Sequence, residues 1–313
     1  MRNRPGLQIA VGLVVLIGLV FLGAKYGPTL LDNNQVTSPV ENVDPSTEPN
    51  ETEQPQEPVE PANPEPEPGN PNTPSQEPES PNVPAGTLSN AKMSWYFTRN
   101  NNHQVPAIPK EAKIISKYGG MYVGDTSRRV VYLTFDNGYE NGYTTPILDT
   151  LRDNQVKASF FVTESYINKN PEIIKRMVAE GHAVCNHTST HPSMPDISDS
   201  QIENEIRKTE EAFQRVTGTR MAPYLRPPSG EYSERTLAVT QKLGYSTVFW
   251  SMAFKDWDVN NQPGADYSYN HVMTNVHPGA IILLHAVSSS NAEALDRIIK
   301  DLKAEGYEFS LLP

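Results

Sequence analysis

Between Tyr26 and Ala91 the sequence contains no lysine or arginine and few residues able to build a core. Twelve acids and roughly half of the 28 prolines fall there instead, in runs such as PANPEPEPGNPNTP. A segment so poor in apolar surface cannot offset the entropy of folding, so it is predicted to be disordered, with polyproline II character. Its 66 residues would span roughly 200 Å at about 3.1 Å per residue, or about 45 Å as a flexible coil, and either way it acts as a tether. Setting aside its 12 acids leaves 25 acids against 26 bases, so the net charge of −11 belongs to the tether. The near-neutral remainder gives no reason to expect a nucleic-acid partner. Cysteine is nearly absent: Cys185 stands alone, which excludes an intramolecular disulfide and a cysteine metal cage. In HAVCNH it reads as a small hydrophobe in a buried strand, with a reactive thiol as the sharper alternative.

Long apolar runs are missing too, with one exception. Leu7 to Ala24 is 18 residues with one polar member, preceded by Arg2 and Arg4. That length and flank predict a transmembrane anchor with a cytoplasmic N-terminus. A cleaved signal peptide is the competing reading, with a poor small-residue site at LGA. Both place everything after Lys25 outside the cytosol. The expected order is a cytoplasmic N-terminus at 1–6, an anchor at 7–24, a linker at 25–91 and one catalytic domain at 92–313. Within that domain, 92–128 is an N-terminal arm and 129–312 the barrel.

From Lys92 onward, short β-forming runs alternate with amphipathic ones. Strands are predicted at VVYLTF, ASFFV, HAVC, APYLR, STVFWS, AIILLH and YEFSLL, with helices around 146–154, 171–180, 199–216, 233–243, 269–276 and 292–305. Thr145 before Pro146 looks like a helix N-cap, and Gly181, Gly218, Gly244 and Gly306 sit where helices should stop. No repeat of fixed period is visible. Such alternation implies parallel β-α units, and seven strands fit an irregular or incomplete (β/α)7 barrel of the α/β class, with an open doubly wound sheet as runner-up. In a parallel barrel the C-terminal strand ends converge on one face. Asp136, His187, Arg226, Asp256 and His285 all fall at or after such ends.

Singly, each is a weak signal. Asn137-Gly138 is a type I′ hairpin signature, but the next segment is helical rather than a returning strand. His187 and His191, four apart, would share a helical face and could grip one metal ion, yet that spacing is commoner on surfaces. Arg226 ends an apolar strand, where burial without a carboxylate would be costly. Trp257 beside Asp256 could line a sugar-binding wall or fill core, and His285 follows an apolar run that makes a hydrogen-bonded core histidine the default. Their joint occurrence in one order is far more specific.

In that order the chain resembles the polysaccharide deacetylases, the NodB homology domain of carbohydrate esterase family 4. Thr134 to Gly138 is similar to Thr-Phe-Asp-Asp-Gly, His187 to His191 to His-Ser/Thr-x-x-His, and Arg226 to Gly230 to Arg-x-Pro-x-Gly. Asp256-Trp257 and Ile282 to His285 stand for the last two motifs, and the likeness spans about Arg129 to Leu312. YLTFDNGYENGY, LRPPSG, TVFWS, DW, NAEALD and the upstream MSWYFTRNNNHQVP resemble the delta-lactam-biosynthetic branch, which acts on muramic acid.

The resemblance implies hydrolysis of a glycan acetamido group in peptidoglycan. Asp136 would be the general base, His285 the general acid, Arg226 the partner of Asp136, and Asp256 the group that orients His285. His187 and His191 would hold a divalent metal, zinc by family habit, with Asn137 a weak ligand in place of the usual second acid, so that the metal is loosely held. Ser229, with Pro228, would serve the oxyanion and Trp257 the substrate. The implied partners are peptidoglycan glycan strands and, through the N-terminal helix, the cytoplasmic membrane. The implied place is the cell membrane, single-pass, with the catalytic domain facing the wall. Two other readings are a deacetylase of N-acetylglucosamine in peptidoglycan or chitooligosaccharides, and an inactive wall-binding protein that kept the pocket.

Overall fold

A computed structural model describes residues 88–313. The predicted cytoplasmic N-terminus and anchor, and nearly all of the predicted linker, lie outside these residues. Among the described residues no helix is long and apolar enough to cross a membrane.

In chain order the elements are β1 (Met93–Ser94), α1 (Ile114–Lys117), β2 (Val130–Asn137), α2 (Thr144–Asp153), β3 (Ser159–Val162), α3 (Glu164–Lys169), α4 (Pro171–Ala179), β4 (Ala183–Asn186), α5 (Asp199–Thr217), β5 (Ala222–Leu225), β6 (Glu231–Tyr232), α6 (Glu234–Lys242), β7 (Ser246–Thr247), α7 (Ala265–Asn275), β8 (Ala280–His285), α8 (Ser289–Ala304) and β9 (Glu308–Phe309). Seven strands form one parallel sheet in the order β7-β5-β4-β3-β2-β8, with β9 joined to the start of β2. That order runs round a ring in sequence, since β8, next after β7, returns to pair with β2. A doubly wound sheet would reverse direction midway, so the runner-up fails. Closure is partial: the chain beyond β7 leaves β5 and meets β8 at the isolated bridge Met252 to Ile282. The fold is the incomplete α/β barrel expected.

Period-2 alternation sorts the strand residues between two cores. Val131, Leu133 and Phe135 of β2 face outward to the helices, in one cluster with Leu148, Ile298 and Leu284. Val130 and Tyr132 face inward with Phe161, Cys185, Val248 and Ile281, and this fills the barrel. Cys185 is fully buried there, and burial pushes its thiol pKa up, so the hydrophobe reading stands. Continuing the inward alternation along β2 brings Thr134 and then Asp136 to the same interior.

Two local expectations need correction. The N-cap of α2 is Tyr143, not Thr145, and caps nothing with its side chain; Glu140 supplies the carboxylate that accepts from the N–H of Thr144. The fold also begins before Lys92: Asn90 donates to the Pro195 carbonyl at 2.9 Å and accepts from Ser233 Oγ at 2.9 Å. The following arm is part of the domain's structure. β1 pairs antiparallel with β6, Trp95 donates from its backbone to the Gly230 carbonyl at 2.8 Å, and its indole donates to the Trp250 carbonyl at 2.9 Å. A Cβ at Gly230 would lie 3.0 Å from Trp250 and 3.2 Å from Trp95, and its φ is +67°, so this close approach needs glycine.

Candidate active site

Asp136, near the end of β2, is the register partner of His285, the last residue of β8. Both line one cavity of about 830 Å³ at the C-terminal end of the sheet. Arg226, fully buried just past β5, reaches back across the barrel. It donates to Asp136 Oδ1 at 2.7 Å, to Thr134 Oγ1 at 2.9 Å and to the Val248 carbonyl at 3.3 Å. Its guanidinium also lies 4.1 Å over the ring of Phe161. The carboxylate that its burial demanded is therefore Asp136. Burial by itself would raise the Asp136 pKa, but Arg226, His187 and His285 together hold it below the ordinary carboxylate value.

His285 is perturbed the other way. Burial disfavours its cation, yet Asp256 outweighs this and, with Asp136, raises its pKa above that of a free histidine. Asp256, 1% exposed, accepts from His285 Nδ1 at 2.7 Å and from the His285 backbone N–H at 2.8 Å. This fixes the ring and leaves Nε2 to the cavity. Asn291, at the start of α8, donates to Asp256 Oδ2 at 2.6 Å and to the His285 carbonyl at 3.2 Å. Sequence reasoning quoted NAEALD but gave Asn291 no role, because an asparagine at a helix start reads as a capping residue. An acid and a base pushed apart in pKa by one environment are what general acid and base catalysis requires.

His187 and His191 come together with ring centroids 4.9 Å apart, edge to face. They do so through a loop and not the helical turn expected: the chain leaves β4 and takes left-handed conformations at Thr188 (φ +65°) and His191 (φ +60°). Ser229, which lines the same cavity after the neighbouring strand β5, has φ +55°. Among the described residues only five non-glycine residues have positive φ; His191 and Ser229 line the cavity and Thr188 sits in the loop that carries His191, a concentration of strain on the order of 1–3 kcal/mol each. Two carboxylates hold the strained loop, Glu205 accepting from Thr190 N and Oγ1 at 2.7 and 2.8 Å, and Glu164 accepting from Ser189 Oγ.

The donor set fits a loosely held divalent cation. His187 donates from Nδ1 to the Arg226 carbonyl at 2.8 Å, which leaves Nε2 unprotonated at 3.6 Å from Asp136 Oδ2. Burial pushes its pKa down to about 4, so the ring is neutral and able to ligate. Asn137 Oδ1 is buried without a hydrogen-bond partner. Against a tight site, among the described residues no group of three or more His, Cys, Asp or Glu is set to hold a metal.

The remaining expectations divide. Trp257 is 54% exposed and lines the cavity, so it is wall and not core. Ser229 lines the cavity as expected, but Pro228 is buried in the turn at Pro228–Gly230, and its neighbour Pro227 takes the lining position. Tyr139, 51% exposed, Trp250 and Phe254 are further aromatic residues of the wall, to which sequence reasoning assigned no role.

The polysaccharide deacetylase family matches residues 123–248. The peptidoglycan-N-acetylmuramic acid deacetylase PdaA of Bacillus subtilis is 47% identical over 226 residues, 72% of this chain and 86% of that protein. Its structure, described as a family 4 carbohydrate esterase, aligns with a TM-score of 0.70 over 72% of this chain and 96% of the other. A peptidoglycan-N-acetylglucosamine deacetylase of Bacillus cereus is 37% identical, over 64% of this chain and 72% of that protein.

Proposed function

Because the chain belongs to the polysaccharide deacetylase family, we propose that it is a hydrolase that removes N-acetyl groups from peptidoglycan, acting on its N-acetylmuramic acid residues. The observation that carries this reading is the pairing of Asp136 and His285 on neighbouring strands, lining a single cavity, with the pKa of one lowered and of the other raised. Greater identity to the muramic acid enzyme than to the glucosamine enzyme supports the choice of sugar.

In the forward reaction Asp136 takes a proton from water as its oxygen bonds to the acetamide carbonyl carbon. Arg226 keeps that carboxylate ionised despite burial and fixes Oδ1, leaving Oδ2 to act. The carbonyl oxygen becomes an anion, and the backbone N–H of Ser229 at the cavity wall donates to it. His285 then delivers its Nε2 proton to the amide nitrogen, the C–N bond breaks, and acetate and a free amino sugar remain. Asp256, held by Asn291, steadies the imidazolium before transfer. A divalent cation, zinc by the character of its imidazole donors, would be held by His187 and His191 with the Asn137 oxygen, and when bound it supplies Lewis-acid polarisation of the acetamide carbonyl. None of these three ligands is charged, which favours weak retention.

Exposed Tyr139 and Trp257 give the sugar rings flat apolar surfaces at the cavity mouth. The apolar run at 7–24 and the proline-rich tether that follows support a single-pass anchor with the catalytic domain facing the wall. The test is mass spectrometry of glycan strands, with and without stem peptides, digested after treatment with the protein. Acetyl loss confined to muramic acid residues is expected. Loss from glucosamine residues instead would move the protein to the second specificity, no acetate release by the parent would leave only a wall-binding role, and release unchanged in Asp136→Ala would remove Asp136 as the base.

A further inference from the structure

Asn137 stands beside the catalytic carboxylate, fully buried, and its amide is fixed by an unusual neighbour. Its Nδ2 lies 3.3 Å from Thr144 Oγ1. The Thr144 hydroxyl in turn donates to Glu140 Oε2, and the buried Tyr166 hydroxyl reaches the same oxygen at 2.7 Å. Glu140 Oε1 accepts from the Gly142 N–H at 2.7 Å and the Thr144 N–H at 3.3 Å. An ionised carboxylate can only accept, and a hydroxyl has one proton to give. The Thr144 proton goes to Glu140, and Tyr166, 3.0 Å from Thr144 Oγ1, can give its own proton to either oxygen, so a donor is the atom of residue 137 that fits against Thr144. An amide meets that demand; a carboxylate would set two acceptors 3.3 Å apart with no proton between them.

The same carboxylate organises the segment from Gly138 to Tyr143. Besides the bonds to Glu140, Thr163 Oγ1 donates to the Gly138 carbonyl at 3.3 Å, and Asn141 Nδ2 donates to the Val287 carbonyl at 3.0 Å, two residues beyond His285. This segment carries Tyr139 to the cavity wall. We propose that Asn137 is neutral because it is the donor end of a hydrogen-bond chain running through Thr144 to Glu140, and that Glu140 is the positioning residue that holds the Gly138–Tyr143 loop as a wall of the glycan site. The absence of a second acid at this strand end is then set by the loop's hydrogen-bond polarity, independently of any metal.

The chain's direction can be reversed by exchanging its ends. With Glu140→Gln, the new amide could donate to Thr144, whose proton would then be free for the carboxylate that Asn137→Asp introduces. The experiment compares thermal unfolding of the full chain, Asn137→Asp, Glu140→Gln and the double variant, all in EDTA, and then the kinetics of each on glycan strands. Asn137→Asp is expected to lower the unfolding midpoint by roughly 3 °C or more, and the double variant to recover at least half of that loss. Glu140→Gln alone is expected to raise KM several-fold more than it lowers kcat. An Asn137→Asp protein that unfolds at the wild-type temperature, or that loses as much in the Glu140→Gln background, overturns the hydrogen-bond chain. Tighter zinc binding by Asn137→Asp with no loss of stability would place the neutrality in the metal site instead. An unchanged KM in Glu140→Gln would remove the positioning role. The kinetic arm rests on the deacetylase reading above, whereas the unfolding arm needs neither substrate nor metal, so the two failures are separable.

Discussion

Replacing Asp256 by asparagine should do more than remove a charge. Asp256 Oδ2 accepts two protons, from the His285 backbone N–H at 2.8 Å and from Asn291 Nδ2 at 2.6 Å. In Asp256→Asn the amide oxygen must therefore keep that position, and the amide nitrogen must face His285 Nδ1, 2.7 Å away in the parent. An NH2 group there opposes a protonated Nδ1, so the ring is driven to the neutral tautomer with its proton on Nε2. The imidazolium loses a charge-assisted hydrogen bond and gains an opposed donor, each about 1.5–2 kcal/mol, which together amount to about 2–3 pKa units. The pKa of His285, raised in the parent by Asp256 and Asp136 against burial, falls in the variant. Activity requires protonated His285 and is lost as pH rises through its folded pKa, so the alkaline limb of kcat/KM should move down by about 2 units. The assay is acetate release from pH 5 to 9, with proton NMR of the imidazole as an independent titration. A variant whose activity falls equally at every pH, with its alkaline limb unmoved, would refute the assignment of His285 as the acid.

Arg226→Met should leave Asp136 as a buried uncompensated carboxylate, destabilising the fold by about 3–5 kcal/mol and shifting the acid limb of activity upward, as unfolding and pH profiles would show. The sign for the parent follows from the depressed pKa of Asp136: its stabilisation is present above the ordinary carboxylate value and is lost as pH falls through its folded pKa. Trp257→Ala, at an exposed position, should change stability by less than about 0.5 kcal/mol while raising KM for glycan strands several-fold in steady-state assays. Excess EDTA should abolish acetate release and added zinc restore it, with circular dichroism unchanged, because the barrel's core does not depend on the His187 and His191 loop.

The strands β2, β3, β4 and β8 were legible because their apolar runs are buried on both faces and bounded by turn residues, whereas β5 and β9 are partly exposed. STVFWS was read as one strand, but only Ser246–Thr247 is paired as such. The stave leaves β5 to cross toward β8, and period-2 apolarity persists where the hydrogen-bond ladder has broken. Helix α3 went unseen, since six residues behind a Thr163 cap are too short to show a period. The His187 and His191 pair was legible as a spacing and wrong as a conformation, because nothing local announces left-handed backbone at a threonine and a histidine. Asn291 and Glu140 were silent for a related reason. Their partners lie on other elements, and Asn291 meets Asp256 35 positions away.

The placement of charge explains why the catalytic residues could be found from strand ends at all. Asp136 is buried, where a lone carboxylate would take up a proton and cease to be a base. Only a second buried charge can prevent this, and the inward alternation of β2 leaves the barrel interior as the place from which one can reach it. Arg226, just past β5, occupies that interior with no water contact, and through Asp136, Thr134 and Val248 each of its three side-chain nitrogens makes one hydrogen bond. An ion pair of this kind adds little net stability over an apolar core of the same volume. What it fixes is the protonation state of Asp136, at the strand end beside the one that carries His285.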